Sequence, residues 1–262
     1  MKRVLKIFLS SSFAVSLMIS SAFALNLGTN ITIPDGVSNL QYWHGINEDQ
    51  EVEPGCSHGQ IWDLEGFYLK TTWLTMVGGF DFEHGNDGHP ASSLFIDTNG
   101  DAGQSTTNWS QIGYGHQVVP DNFGYEYAIN FNFTNKIYNL FGLSGASTTS
   151  VYYFQNDASN PMGYVDGGQA LGSGSFTYTT GLSDSDVGGL QGGTHNALSL
   201  NLAGIIPAAD LDNFVAHYTM YCGNDNLMGK AAPVPEPASM LLFGTGLIGL
   251  AAFTRRKLYL KK

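Results

Sequence analysis

Between Tyr125 and Phe133 the chain alternates without a break, with Tyr125, Tyr127, Ile129, Phe131 and Phe133 separated by Glu126, Ala128, Asn130 and Asn132. A two-residue period sends one set of side chains to each face of an extended strand, so this stretch is built to bury one face of a sheet. Leu198, Leu200 and Leu202 alternate with Ser199 and Asn201 in the same way. Residues 67–80, 93–97, 136–141, 150–154, 175–180 and 214–221 supply further strands, and the Gly, Asn, Asp and Ser between them supply turns. Amphipathic helical spacing of useful length is absent, and only 207–214 reads as a short helical turn. The pattern predicts an all-β fold, an antiparallel two-sheet β-sandwich of jelly-roll-like form.

Both ends of the chain are of a different kind. Lys2, Arg3 and Lys6 precede an apolar stretch over 7–19, and Ala22-Phe23-Ala24 forms an A-x-A site, so residues 1–24 read as a secretory signal peptide cleaved before Leu25. At the other end, Val234-Pro235-Glu236-Pro237 is followed by an uncharged apolar run over 238–253 and then by Arg255-Arg256-Lys257. As a helix the 16-residue run spans roughly 24 Å, short against a hydrocarbon core of about 30 Å. Gly244, Gly246 and Gly249 weaken it further, and the basic cluster holds its end on the cytoplasmic side. The expected division is a signal helix at 1–24, a β domain at 25–229, a linker at 230–233, the tail device at 234–257 with its hydrophobic helix at 238–253, and a basic end at 258–262. Neither terminal helix belongs to the fold.

The tail closely resembles the PEP-CTERM sorting signal of Gram-negative bacteria that make exopolysaccharide, which an exosortase in the inner membrane recognises and cuts. The resemblance covers Val234 to Lys257. It implies transient insertion of the C-terminal helix in the inner membrane, removal of the tail, and release or attachment of the body at the cell exterior, much as a GPI signal is discarded. The secretion machinery and the exosortase are the implied partners during export. An ordinary single-pass anchor is the alternative reading of the same segment.

Charge narrows the partners of the body. Only Lys70 and Lys136 of the 11 basic residues fall within 25–229, against 21 of the 22 acidic ones, which leaves 19 net negative charges on 205 residues. Phosphate contacts need a basic surface, so nucleic acid is excluded, and so is simple adhesion to anionic lipid. High ionic strength or bound divalent cations would relieve the self-repulsion, and a plain soluble acidic protein is the equal alternative.

Cys56 and Cys222 both follow the signal peptide into an oxidising compartment, where pairing is the default. Such a disulfide would close a long loop and stabilise by up to about 5 kcal/mol; two free thiols are the other reading. Cys222 lies in His217-Tyr218-Thr219-Met220-Tyr221-Cys222-Gly223-Asn224-Asp225, which resembles an ending found upstream of the signal in PEP-CTERM surface proteins. Trp62 to Phe67 and Leu94 to Asp101 also resemble segments of such proteins. These resemblances imply no activity.

Asp97-Thr98-Asn99-Gly100-Asp101 sets three oxygen side chains at alternating positions, the start of an EF-hand-like calcium loop. The sixth position is Ala102 and the twelfth Asn108, so the motif is incomplete, and an Asn-Gly hairpin turn explains the segment equally. Asp97, Asn99 and Asp101 are the candidate calcium ligands. Asp63 with Glu65, and Asp81 with Glu83, each share a strand face and could serve a cation or, at the right separation, glycoside hydrolysis. His84 and His89 stand in a Gly-rich loop rather than on a rigid element, and Ser144 lacks the nucleophile pattern. Among Trp43, Trp62, Trp73 and Trp109, the polar surroundings of Trp109 make it the expected exposed ring. No catalytic set emerges. The expected function is a non-enzymatic, exosortase-processed surface or matrix protein associated with exopolysaccharide or biofilm. The alternatives are a calcium-assisted carbohydrate-binding module and, third, a secreted hydrolase.

Overall fold

A computed structural model describes residues 24–33, 49, 52, 56–107, 116–151 and 160–232. The signal peptide up to residue 23, Trp43, Trp109 and the whole of the tail device from Val234 lie outside them. The described residues form strands β1 (Thr29–Asn30), β2 (Leu64–Lys70), β3 (Trp73–Gly78), β4 (Leu94–Asp97), β5 (His116–Val119), β6 (Tyr127–Asn132), β7 (Ile137–Val151), β8 (Gly163–Leu182), β9 (His195–Asn201), β10 (Val215–Thr219) and β11 (Asn226–Lys230). One 3-10 turn at Gln60–Trp62 precedes β2. Among the described residues no helix is long and apolar enough to cross a membrane.

The all-β, antiparallel expectation holds, but the two separate sheets do not. The strands run β1-β2-β3-β9-β8-β7-β6-β4-β10-β11 in a single 11-stranded sheet, with β5 attached to β7. The physical reason is β8, which is 20 residues long. Its residues up to Ser175 pair with β7, and from Phe176 onward it pairs with β9, so one strand serves both halves and carries the sheet around a corner. Register shifts between Gly142 and Ala146 and between Ser147 and Thr148 in β7 mark bulges that add curvature there.

The two ends of the sheet meet through the N-terminal segment. Thr29 and Asn30 pair with β2, and the Ile31 N–H donates to the Phe67 carbonyl at 2.9 Å. The chain then changes partner: the Lys230 N–H donates to the Ile31 carbonyl at 2.7 Å, and the Ile33 N–H to the Met228 carbonyl at 2.8 Å. Gly229 makes this approach possible, because a Cβ there would stand 2.8 Å from Cβ of Phe67. β11 carries through Lys230, and Ala231 is buried behind it.

The main core fills the inside of the curl. Leu64, Phe67, Leu74, Met76, Leu198, Leu200 and Leu202 enter from one half, and Leu94, Ile96, Ile129, Leu140, Ala216 and Tyr218 from the other. Phe82 links them, packing edge-on against Tyr178 and Tyr218. Two smaller clusters lie outside the sheet: Phe95, Val119, Phe123, Tyr125, Ala128, Leu143 and Ala146 on one half, and Leu27, Tyr68, Val77, Val187 and Ala197 on the other. The alternation from Tyr125 is thereby corrected at its start. β6 begins at Tyr127, and Tyr125 sits in a turn whose N–H bonds the Asn122 carbonyl, which delivers its ring to the outer cluster. The helical turn expected at 207–214 is a run of turns, with Asp210 N–H to Pro207 carbonyl and Asn213 N–H to Asp210 carbonyl.

Candidate functional site

Asp97 ends β4, and antiparallel pairing of β4 with β6 sets Ile96 opposite Tyr127, so Glu126 arrives beside the Asp97 loop. The Glu126 N–H donates to the Ile96 carbonyl at 3.0 Å. Carboxylate oxygens of Asp97, Asp101 and Glu126 lie within 4.8 Å of one another. Asp97 is buried and organises the loop: its Oδ1 accepts the N–H groups of Asn99 and Gly100, both at 2.8 Å, and its Oδ2 accepts that of Ala102 at 3.2 Å. Glu126 accepts from the Thr98 N–H at 2.7 Å and from the Asn99 side-chain amide at 2.7 Å. Asp101 contributes a buried Oδ1 with no hydrogen-bond partner. Gly124 lets the loop close, having φ +80 and a position where a Cβ would fall 2.0 Å from the Asp101 carbonyl oxygen.

No ion pair neutralises these three acids among the described residues. Burial pushes the Glu126 carboxyl up; the Thr98 hydrogen bond opposes this, and the charges of Asp97 and Asp101 reinforce it. An all-oxygen set with an unpartnered buried oxygen and mutual repulsion suits a hard divalent cation such as calcium. Of the expected ligands, Asp97 and Asp101 converge; the Asn99 side chain bridges the same loop, its amide donating to Glu126 at 2.7 Å and its Oδ1 accepting the Asp101 N–H at 3.0 Å. Glu126 itself was hidden in the sequence, where it is one more polar residue of the alternating stretch 125–133.

A second polar cluster lies at the start of β2. Carboxylate oxygens of Asp49, Asp63 and Glu65 also lie within 4.8 Å of one another, so the expected Asp63–Glu65 pair does converge. His195, the first residue of β9, is fully buried there. Its Nδ1 faces Glu65 Oε2 at 2.7 Å and its Nε2 faces Asp184 Oδ1 at 2.9 Å, and the Gln60 amide donates to Glu65 Oε1. Burial raises the Glu65 carboxyl to about 7 even though the bond and charge of His195 pull the other way. Burial lowers His195, but the bonds to Asp184 and Glu65 outweigh it and the net shift is upward.

The other expected residues are engaged by neighbours. Asp81 accepts from the Tyr178 hydroxyl at 2.8 Å and faces His84, and Glu83 pairs with Lys136 at 3.1 Å. His89 packs on Trp62. Ser144 is exposed in β7. Of the two described tryptophans, Trp62 is half-buried and Trp73 is exposed.

No disulfide joins Cys56 and Cys222, which corrects the expected pairing. The two segments are held together by other means. Asn224 accepts the Ser57 N–H at 2.8 Å and donates to the Ser57 carbonyl at 2.9 Å. Asp225 Oδ2 accepts the Leu64 N–H at 2.6 Å, beside the β2 bulge. Side-chain clamps therefore do what a covalent link was expected to do. His217 of the same motif is buried and stacked on Tyr125 at 5.5 Å, with Nε2 donating to the Pro161 carbonyl at 3.0 Å. Burial lowers it to about 4, with the Pro161 bond acting against the shift.

Residues 233–257 match the family model of the PEP-CTERM protein-sorting motif. The motif implies an exosortase-dependent exported protein, at the cell surface or extracellular after processing. No curated protein and no solved structure matches the chain.

Proposed function

We propose that this chain is a non-enzymatic structural or adhesive component of the cell exterior, associated with exopolysaccharide or biofilm, whose tail at 234–257 is removed by an exosortase during export. The matched sorting motif carries this reading. The acidic body supports it by disfavouring nucleic acid and anionic lipid as partners. Cleavage before Leu25 would leave a chain whose first backbone contact is the Leu25 nitrogen on the Asp186 carbonyl at 2.8 Å. Deletion of 235–257 in the native host tests the proposal: the truncated protein should fail to reach the external fraction in its mature form. Unchanged maturation and location would reject it, as would full-length chain persisting in purified inner membrane.

A calcium-assisted carbohydrate-binding module is the second reading, favoured by the convergence of Asp97, Asp101 and Glu126. Calcium would be held by these three carboxylates and would neutralise their mutual repulsion. A rise in melting temperature with calcium, reversed by chelation, is the expected result. The secreted hydrolase has less to support it, since Asp63 and Glu65 are both buried and Glu65 is engaged by His195 and Gln60.

A further inference from the structure

We infer that the outer face of β2, β3 and β9 at Trp73 binds a neutral, hydroxyl-rich glycan chain; this rests on the matrix association proposed above and assigns its ligand class and its place. Along β3, Leu74 and Met76 point into the main core, so Trp73 and Thr75 face outward. Trp73 is 44 % exposed. Its ring meets no other aromatic ring among the described residues.

Register builds the surroundings. Lys70 stands directly opposite Trp73 on β2, and Ser199 stands opposite Thr75 on β9. The Thr75 and Ser199 hydroxyls lie 2.7 Å apart and form a polar floor. Asn26 and Leu27 from the N-terminal segment wall a shallow cleft of about 360 Å³ shared by these residues, within the size range of small-ligand sites. A flat indole beside hydroxyl, amide and ammonium groups suits a sugar, whose C–H face stacks on the ring while its hydroxyls take the hydrogen bonds.

Lys70 and Lys136, the two lysines within 25–229, differ in use. Lys136 is spent on Glu83 and lies over the Phe133 and Tyr178 rings. Lys70 forms no ion pair among the described residues and lines the cleft. A lone ammonium on so acidic a body cannot hold a polyanion against 19 net negative charges, so the ligand is an uncharged chain for which Lys70 is a hydrogen-bond donor.

The test is affinity electrophoresis of the processed protein through gels containing dextran, laminarin or polygalacturonate. At least one neutral polysaccharide should retard the wild type and change its tryptophan emission. Trp73→Ala should weaken retardation about tenfold or more, and Lys70→Met about fivefold, the loss expected for one hydrogen bond. Lys70→Met should leave the melting temperature unchanged because Lys70 is exposed, and Trp73→Ala should lower it by only a few degrees while the protein stays folded. Equal retardation of Trp73→Ala, retardation by polygalacturonate alone, or none in any gel would overturn the site. Fractionation separates the two proposals: wild-type protein absent from the host polysaccharide fraction defeats both, whereas Trp73→Ala retained there like the wild type defeats this site and leaves the matrix association standing.

Discussion

Asn224 holds Ser57 by both of its backbone polar groups, accepting the N–H at 2.8 Å and donating to the carbonyl at 2.9 Å across 167 positions of sequence. Asn224→Ala removes both bonds and should cost about 2 kcal/mol, at roughly 1 kcal/mol for each. Urea unfolding would register this as a lower midpoint at unchanged slope. Asn224→Asp keeps the acceptor but sets a carboxylate oxygen against the Ser57 carbonyl, so it should cost at least as much as the alanine.

The cysteines next to this clamp carry no bond to one another. Without reductant, both should react with iodoacetamide in denaturant, giving two added masses by mass spectrometry. In the native protein Cys222 should react slowly, because burial raises its thiol and leaves little thiolate. A species that takes no label in denaturant until reduced would contradict the structure.

Calcium binding is best tested away from Asp97. Its oxygens cap three loop amides, so Asp97→Ala should lower stability with or without the ion. Asp101→Asn and Glu126→Gln remove charge while disturbing the loop less. Each should abolish the stabilisation by calcium, which for the wild type reaches about 2.7 kcal/mol at a hundredfold excess over Kd. Retention of the calcium response in both variants would exclude this cluster as the site.

Gly124→Ala should damage the same loop through the backbone. Its positive φ and the 2.0 Å approach to the Asp101 carbonyl leave no place for a methyl group, so a loss of about 2 kcal/mol or more is expected. Calorimetry should show a lower melting temperature, together with a weakened response to calcium.

Two buried groups should tilt the dependence of stability on pH in opposite directions. Glu65 is raised in the folded state to about 7 from 4.5. Its contribution is complete below its unfolded value and disappears as pH rises through 7. His217 is lowered to about 4 from 6.5, so its contribution is complete above 6.5 and disappears as pH falls toward 4. Melting temperature measured from pH 4 to 8 should therefore rise more steeply with pH in Glu65→Gln than in wild type, and less steeply in His217→Gln. Parallel curves for all three proteins would refute both assignments.

How far the sequence discloses this molecule follows from the range of the forces involved. Leu198, Leu200 and Leu202 announce β9 because a local period encodes a buried face, and all three are fully buried. The first half of β8 is silent, since Val165 to Gly174 holds four glycines and reads as a loop. It is a strand because β7 supplies its backbone partners. The curled single sheet was illegible for the same reason, as it depends on β8 exchanging partners. Asp97 and Asp101 could be read from spacing, but Glu126 joins them only through the pairing of β4 with β6. His195 meets Glu65 across 130 positions, and no local pattern marks that meeting.

The segment from Thr29 to Ile33 also bears on how a surface protein would meet traction. Tension entering through the tail at Ala232 passes directly into β11, which is bonded laterally to β10 on one side and to Ile31 and Ile33 on the other. Pulling along that strand strains these lateral bonds in shear, many together, instead of peeling them off singly. The point where the polypeptide would be tugged is thus the seam that its own beginning has sewn shut.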